Sequence, residues 1–431
     1  MTRRAYGFAV GLALAVGILA WVGSYRLDLP LRDPDGLAGP AYVRLPLIVI
    51  IFFLSDVVPR VLIKNRGFKN FVPSFKEYTK LRWTKSRIAL VGVGLSSFYV
   101  VYVSYRNIKG FLPFVRTDTL YDSTLHKLDI ALMFGHDPAV VLHNVLGTGI
   151  AAHLLSYIYI MFLTFVPVSL GAALVWSKNV ATGFWYVTAL CINWVLGALS
   201  YYWLPSLGPF YKNGAFNELP ETGVTALQRG LAAGRQRVLE DPHSTTSIQS
   251  VAAFASLHVS IIFTAALICH YVIQSRWVRW SMWIYFVLTT ISTVYFGWHY
   301  LLDDIAGLAI GWIAVWIGAK TTGHVMGVQR HQVEEGDGVI GVFPPESGRR
   351  QPTSGDGVTD AGQGVADADD AASQKSVHDT ASVVSETKDV KAAGKDAPVN
   401  DGAKRSLLRR KRTDAPDDDD KPADEKNSAR A

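Results

Sequence analysis

Charge and cysteine are what this sequence has little of. Charged residues make up 18% of its 431 residues, below the usual quarter of a soluble globular chain. Apolar residues reach 49% although the last hundred residues hold few of them. The first 320 residues are therefore far more hydrophobic than the average, which excludes a chain that is soluble throughout. The two cysteines, Cys191 and Cys269, lie inside apolar runs. A disulfide framework or thiolate metal site needs more of them, or partners at ligand spacing, so both read as buried thiols. No Asp/His cluster suggests a metal, no cofactor is expected, and a net charge of +6 gives no reason to expect nucleic acid as a partner. No internal repeat is evident.

What is abundant is long apolar runs. Eight stretches have roughly the ~17–25 residues a membrane-crossing helix needs: Ala5–Gly23, Ala41–Ile63, Ile88–Tyr105, Ile150–Trp176, Val180–Leu204, Val251–Val272, Trp277–Trp298 and Leu301–Ile317. The first follows Thr2-Arg3-Arg4 like a signal peptide. No small-x-small cleavage site follows it, and Trp21 and Tyr25 read as interface anchors, so it is expected to stay as a helix. The expected fold is an all-α membrane protein, a polytopic bundle of about eight transmembrane helices.

Orientation follows from Lys and Arg in the connections. Residues 64–87 contain Lys64, Arg66, Lys69, Lys76, Lys80, Arg82, Lys85 and Arg87, a block that should stay cytoplasmic. Alternation then puts Lys178, Arg276, Arg279 and both chain ends on the same side, and puts 24–40, 106–149 and 205–250 outside. Asp56 and Arg60 have the spacing of an i,i+4 ion pair at the interface. His153 and Asn193 read as helix–helix hydrogen-bonding groups. His270 falls at the cytoplasmic end of its span.

Outside the spans, 106–149 pairs charges with Leu120, Leu125, Leu128, Ile130, Leu132 and Phe134, a pattern for short amphipathic helices at the outer interface. Pro205-Ser206-Leu207-Gly208-Pro209 is a rigid turn at a helix end. From Val328 onward Gly, Asp, Ala, Lys and Ser dominate, which predicts a disordered tail. Its basic clusters, Arg349-Arg350 and Arg409-Arg410-Lys411-Arg412, are able to touch anionic lipid, but a merely solvated tail is the expectation. Three regions result: N-terminal helices and basic loop over 1–105, a catalytic membrane domain over 106–325, and the tail over 326–431.

Two polar motifs fall at outer helix ends. The first is Ala255-Ser256-Leu257-His258. The second runs from Ser292-Thr293 through Tyr295, His299-Tyr300 and Asp303-Asp304 to Ala306-Gly307. If the chain is helical through His299, Asp303 lies one turn on and shares its face, Asp304 is rotated by about 100°, and Ser292 lies about two turns before on the same face. A carboxylate on one imidazole nitrogen leaves the other free and more nucleophilic. A second histidine, His258, is placed to protonate a leaving oxygen.

At these residues the sequence resembles the type 2 phosphatidic acid phosphatase superfamily. Ser256-x-His258 and Ser292…His299-x-x-x-Asp303 look like its second and third signatures. Ser256-Leu257-His258, with Ser292, Thr293, Tyr295, His299, Tyr300, Asp303, Ala306 and Gly307, resembles the inositol phosphorylceramide synthase branch in particular. The resemblance spans about 110–320 and implies a six-helix catalytic core within the bundle. It departs at Ala255, where proline is usual and whose absence should loosen the turn, and at Thr293, where phosphatases carry arginine. The Lys-x6-Arg-Pro first signature of the phosphatases is not visible.

The resemblance implies that His299 forms a phosphohistidine intermediate, that Asp303 orients it and that His258 is the acid and then the base. Ser256 and Ser292 would contact the phosphoryl group, with the missing positive charge coming from Lys212, Arg229, Arg235 or Arg237. The expected activity is a phosphotransferase at the extracytoplasmic face of the plasma membrane, with a phospholipid-type donor and membrane lipids around it, inositol phosphate transfer being one form. The alternative is a phosphatase for lipid or polyprenyl phosphates. A non-enzymatic transporter or scaffold is disfavoured, because the ionisable groups sit at the outer edge rather than mid-membrane.

Overall fold

The computed structural model describes residues 3–33, 35–36, 39–116, 120–177, 179–211, 214–243 and 251–327. Lys178, Lys212 and nearly all of the expected disordered tail lie outside them.

The described chain is built from twelve α-helices. A first pair, α1 (Arg3–Leu27) and α2 (Ala41–Asn65), is followed by α3 (Phe71–Arg82) in the basic connection and by the 31-residue α4 (Lys85–Val115). Two short helices, α5 (Asp122–Leu132) and α6 (Pro138–Leu146), follow where the sequence was expected to form them. Next come α7 (Ile150–Gly171), which continues as a wide turn to Trp176, then α8 (Val180–Trp203) and α9 (Gly223–Glu240). The last three are α10 (Leu257–Val272), α11 (Arg276–Tyr295) and α12 (Leu301–Thr322). The strand pairing among the described residues is a two-residue bridge, Asp35–Gly36 with Gly39–Pro40.

Among the described residues six helices are long and apolar enough to cross a membrane: α1, α2, α4, α7 with its extension, α8 and α12. The other two expected spans differ from that standard. α10 has 16 residues, because Val251–Ala255 is not helical and Ser256 caps the helix by accepting from Val259 N. α11 opens with Arg276 and Arg279 and is more polar at that end. α4 runs ten residues past its expected end at Tyr105, so 106–115 is helix rather than outer loop.

α8 is the hub. In its most apolar window 83% of residues are buried, against 17–44% in the other long helices, and it packs on α4, α10 and α12. The Trp185 indole donates to Val315 O at 3.0 Å, and Asn193 Nδ2 donates to Thr264 Oγ1 at 2.9 Å, the expected helix–helix bond. His153 does not act that way, because it is exposed at the start of α7. α1 lies along α4 through small residues, Ala9, Ala13 and Ala20, which let two helices approach closely. Cys191 is buried, Cys269 is partly so, and both are free thiols.

In the basic connection, Asp56 pairs with Arg60 at 3.2 Å as expected and also with Arg82 of α3 at 2.7 Å. That second bond ties α3 to α2 and explains why a carboxylate is held at 3% exposure there.

Candidate active site

The two polar motifs meet at one end of the bundle. Ser256 N donates to Asp303 O at 3.0 Å, so the chain entering α10 is bonded to the first turn of α12. Gly307 permits this approach, since a Cβ there would sit 2.5 Å from Ser256 O, inside any tolerable contact. The rings of His258 and His299 are 5.8 Å apart, centre to centre. His258 is half-buried and packs on Tyr159 (4.5 Å) and Phe162 (4.2 Å).

His299 and Asp303 come together by a route different from the continuous helix expected. α11 ends at Tyr295 and α12 begins at Leu301. Between them Gly297 takes φ +67°, a left-handed turn suited to glycine, and Thr293 O accepts from Trp298 N (2.9 Å) and His299 N (3.3 Å). Asp303 occupies the third position of α12, where its Oδ2 accepts from Tyr300 N at 3.0 Å and lies 3.4 Å from His299 Nδ1. The carboxylate thus caps the helix and orients the imidazole at once. Ser292, in the last turn of α11, donates to Leu288 O at 2.7 Å. The broken helix removes the shared face that was expected to join it to His299.

Asp304, set aside on helical geometry, also belongs to the site. It is 4% exposed, Thr293 Oγ1 donates to its Oδ2 at 3.0 Å, and it lies close to Ser256 and His299. Asp303 Oδ1 and Asp304 Oδ1 are both buried without a hydrogen-bond partner, an arrangement that proteins ordinarily avoid.

Burial drives the His299 imidazole down to about 4, with Asp304 opposing the shift and Lys109 adding to it. Lys109, from the C-terminal part of α4, also acts electrostatically on His258, and its Nζ stands 5.1 Å over the Tyr201 ring. It was missed because the sequence places it in an outer loop far upstream of both motifs. Of the cations expected from sequence, Arg229 is exposed and ion-paired with Glu221, Arg237 is exposed and Arg235 is half-buried on α9, while Lys212 lies outside the described residues.

Serines replace the missing proline in bracing the first motif. Ser200 Oγ accepts from Ala255 N at 2.9 Å, Ser206 Oγ from Phe254 N at 3.0 Å, and Ser206 O from Ala253 N at 2.9 Å. The turn around Ala255 is therefore held rather than loosened.

α5 supplies a second brace. Asp129 accepts from Leu301 N (2.8 Å) and Leu302 N (3.3 Å), the first amides of α12. Asp122 Oδ1 accepts from Leu207 N, Gly208 N and the Tyr300 hydroxyl at 2.9–3.1 Å. Among the described residues no group of three or more His, Cys, Asp or Glu side chains is placed to hold a metal ion.

Residues 123–317 match the family model of the PAP2 superfamily. The PAP2 segment begins inside α5 and ends inside α12. It includes Ser256, His258, His299, Asp303 and Asp304, and leaves α1 to α4 outside, Lys109 with them. No curated protein and no solved structure matches the chain. The match makes the chain an enzyme of the phosphatase or phosphotransferase kind, and its long apolar helices make it a multi-pass membrane protein.

Proposed function

We propose that this enzyme is a membrane phosphotransferase that moves a polar phospho-headgroup from a phospholipid-type donor to an extracytoplasmic acceptor through a phosphohistidine on His299. The observation that carries the reading is the buried His258–His299–Asp303 arrangement, with ring centres 5.8 Å apart and a carboxylate 3.4 Å from Nδ1. With the Nδ1 proton directed at Asp303, Nε2 keeps its lone pair for phosphorus. In the first step the Nε2–P bond forms and the lipid P–O bond breaks, with His258 giving a proton to the departing oxygen. In the second, His258 removes the acceptor's hydroxyl proton, the new P–O bond forms and His299 is released. Lys109 supplies the positive charge that offsets the phosphoryl oxygens, and Ser256 donates to one of them.

Thr293 supports transfer over hydrolysis. It stands where phosphatases carry arginine, and its hydroxyl is bonded to Asp304, so that edge of the site carries no cation. Asp304 Oδ1, buried and unpartnered, is suited to accept from an acceptor hydroxyl. By the same resemblance, inositol phosphate from phosphatidylinositol is the first donor to try.

The extracytoplasmic side is supported by α4. From Lys85, beside the basic block, to Lys109 at the site is 24 residues, or about 36 Å of helix at ~1.5 Å each. That is a little more than the roughly 30 Å hydrocarbon core.

The second reading, a lipid or polyprenyl phosphate phosphatase, rests on Lys109 and Arg116. They reproduce the Lys-x6-Arg spacing that was taken as not visible, with Thr117 in place of the proline.

The test supplies the purified protein in nanodiscs with headgroup-labelled phosphatidylinositol, with and without a lipid extract as acceptor. Label in a new lipid only when acceptor is present, with turnover reduced by about 10³-fold or more in His299→Ala, supports transfer. Label released to water regardless of acceptor replaces transfer with hydrolysis.

A further inference from the structure

α9 lies across the turn that carries His299. Its inner face places Val224, Leu227 and Leu231 against Tyr159, Phe296 and Trp298, and Gln228 Nε2 donates to Phe296 O at 2.7 Å. Arg235 follows Leu231 by four residues and Gln228 by seven, which puts it on that same face. Its Nε is buried and has no hydrogen-bond partner.

Two more buried groups nearby are in the same condition, the Tyr211 hydroxyl and the Trp298 indole N–H. Tyr211 lies within electrostatic range of Arg235. It ends the short turn Pro209–Tyr211, whose Phe210 ring packs on Tyr211 at 4.3 Å and on Trp298 at 5.0 Å. The same turn is pinned to the catalytic loop by Phe210 N donating to Gly297 O at 2.9 Å. Trp298 is 7% exposed and immediately precedes His299. Its ring stacks on Tyr159 at 5.5 Å and 4°, and Tyr159 in turn stacks on His258.

The three orphans share one chemistry. A guanidinium and an indole offer only donors, and the phenol offers a donor as readily as an acceptor. Among the described residues no ion pair with an acidic side chain engages Arg235, in contrast to Arg229 with Glu221. Unpartnered donors grouped in this way, on the elements packed against the His299 turn, call for a group rich in acceptor oxygens, and the guanidinium favours negative charge on it.

We propose that Arg235, Tyr211 and Trp298 form a headgroup subsite that holds the oxygen-rich part of the substrate lying beyond the reacting phosphorus. The proposal rests on the phosphoryl-transfer reading of the histidine site. It assigns Arg235 to recognition of the headgroup and leaves the reacting phosphoryl group to Lys109.

The test is a binding titration on the full-length protein in nanodiscs with three probes: inorganic phosphate, inositol 1-phosphate and inositol 1,4-bisphosphate. Inositol 1-phosphate should bind at least about tenfold tighter than phosphate. Arg235→Gln should remove most of that margin while phosphate affinity stays unchanged. Tyr211→Phe, which keeps the ring and its packing, should reduce it by about threefold or more. A further gain with the bisphosphate would identify a second phosphate as the occupant, and equal affinity for the two inositol probes would identify hydroxyl oxygens. Equal binding of phosphate and inositol 1-phosphate in the parent, or a margin surviving in both variants, would overturn the subsite and leave the three donors to water only. Failure of phosphate itself to bind would overturn the histidine-site reading, a separate result.

Discussion

At the residue scale the informative feature is a neutral imidazole among charges. Burial lowers His299 to about 4, against about 6.5 for an unperturbed histidine. The nucleophile is the unprotonated ring, so it is present at any pH above its folded pKa and is lost only below it. The acid limb of kcat/KM should therefore fall near pH 4. A pH–rate profile in nanodiscs checks this, and an acid limb near 6.5 would show that the ring is not shielded. Lys109 leads to a different expectation, because its charge acts on a phosphoryl group in the ground state and in the transition state alike. Lys109→Met should raise KM by about tenfold or more with a smaller fall in kcat. An unchanged KM would move the phosphate-binding charge elsewhere. Ser256, His258, His299 and Asp303 were legible in the sequence because each lies in a short motif. Asp304 was not, and Lys109 was overlooked although it and Arg116 have the Lys-x6-Arg spacing, for two physical reasons. Lys109 reaches the site only because α4 extends past Tyr105, and Asp304 was set aside by assuming a helix that Gly297 interrupts.

At the element scale, the break between α11 and α12 has to be held open in one geometry, and α5 does this from outside the motifs. Asp129 takes the first two amides of α12, donors that no helix satisfies internally, and Asp122 joins Tyr300 to the turn at 207–208. Burial raises the Asp129 carboxyl while those two amides oppose the rise, so the bonds help keep it ionised. Asp129→Asn keeps one acceptor oxygen but turns an N–H₂ toward the other amide. The expected result is a loss of about 1 kcal/mol in stability and a fall of roughly tenfold in kcat through misplacement of His299, with KM little changed. Thermal unfolding and steady-state kinetics measure both, and an unchanged kcat would reduce α5 to packing. None of this was readable from sequence, where Asp122 and Asp129 looked like the solvent-facing charges of an amphipathic helix. The helix itself was readable, from its apolar spacing, as were the bounds of α7 with its extension, set by composition alone. The start of α10 was misplaced because Val251–Ala255 is apolar but not helical. Its backbone is bonded to Ser200 and Ser206 from other parts of the chain, and only Ser256, a strong N-cap residue, marks the true beginning.

At the scale of the whole molecule, loop charge and site geometry constrain each other. The basic block at 64–87 follows α2 and contains α3, whose Arg82 is locked to Asp56, so this end is a built, positively charged unit of the kind the charge rule keeps cytoplasmic. α4 leads from that end to the histidines over about one bilayer thickness. α9, which covers the histidines, must then lie on the opposite face from α3. A reporter or accessible cysteine at residue 75 should be cytoplasmic, and one at residue 230, exposed on α9, should be extracytoplasmic. Modification by an impermeant thiol reagent in intact cells decides between the two positions. Labelling at 230 and not at 75 places the reaction outside, where a lipid donor in the outer leaflet and an acceptor too polar to cross the membrane can meet. The reverse pattern would overturn the charge rule here and put the transfer in the cytoplasm. The bundle and its histidine pair would survive that result, but the acceptor would then have to be a cytoplasmic one.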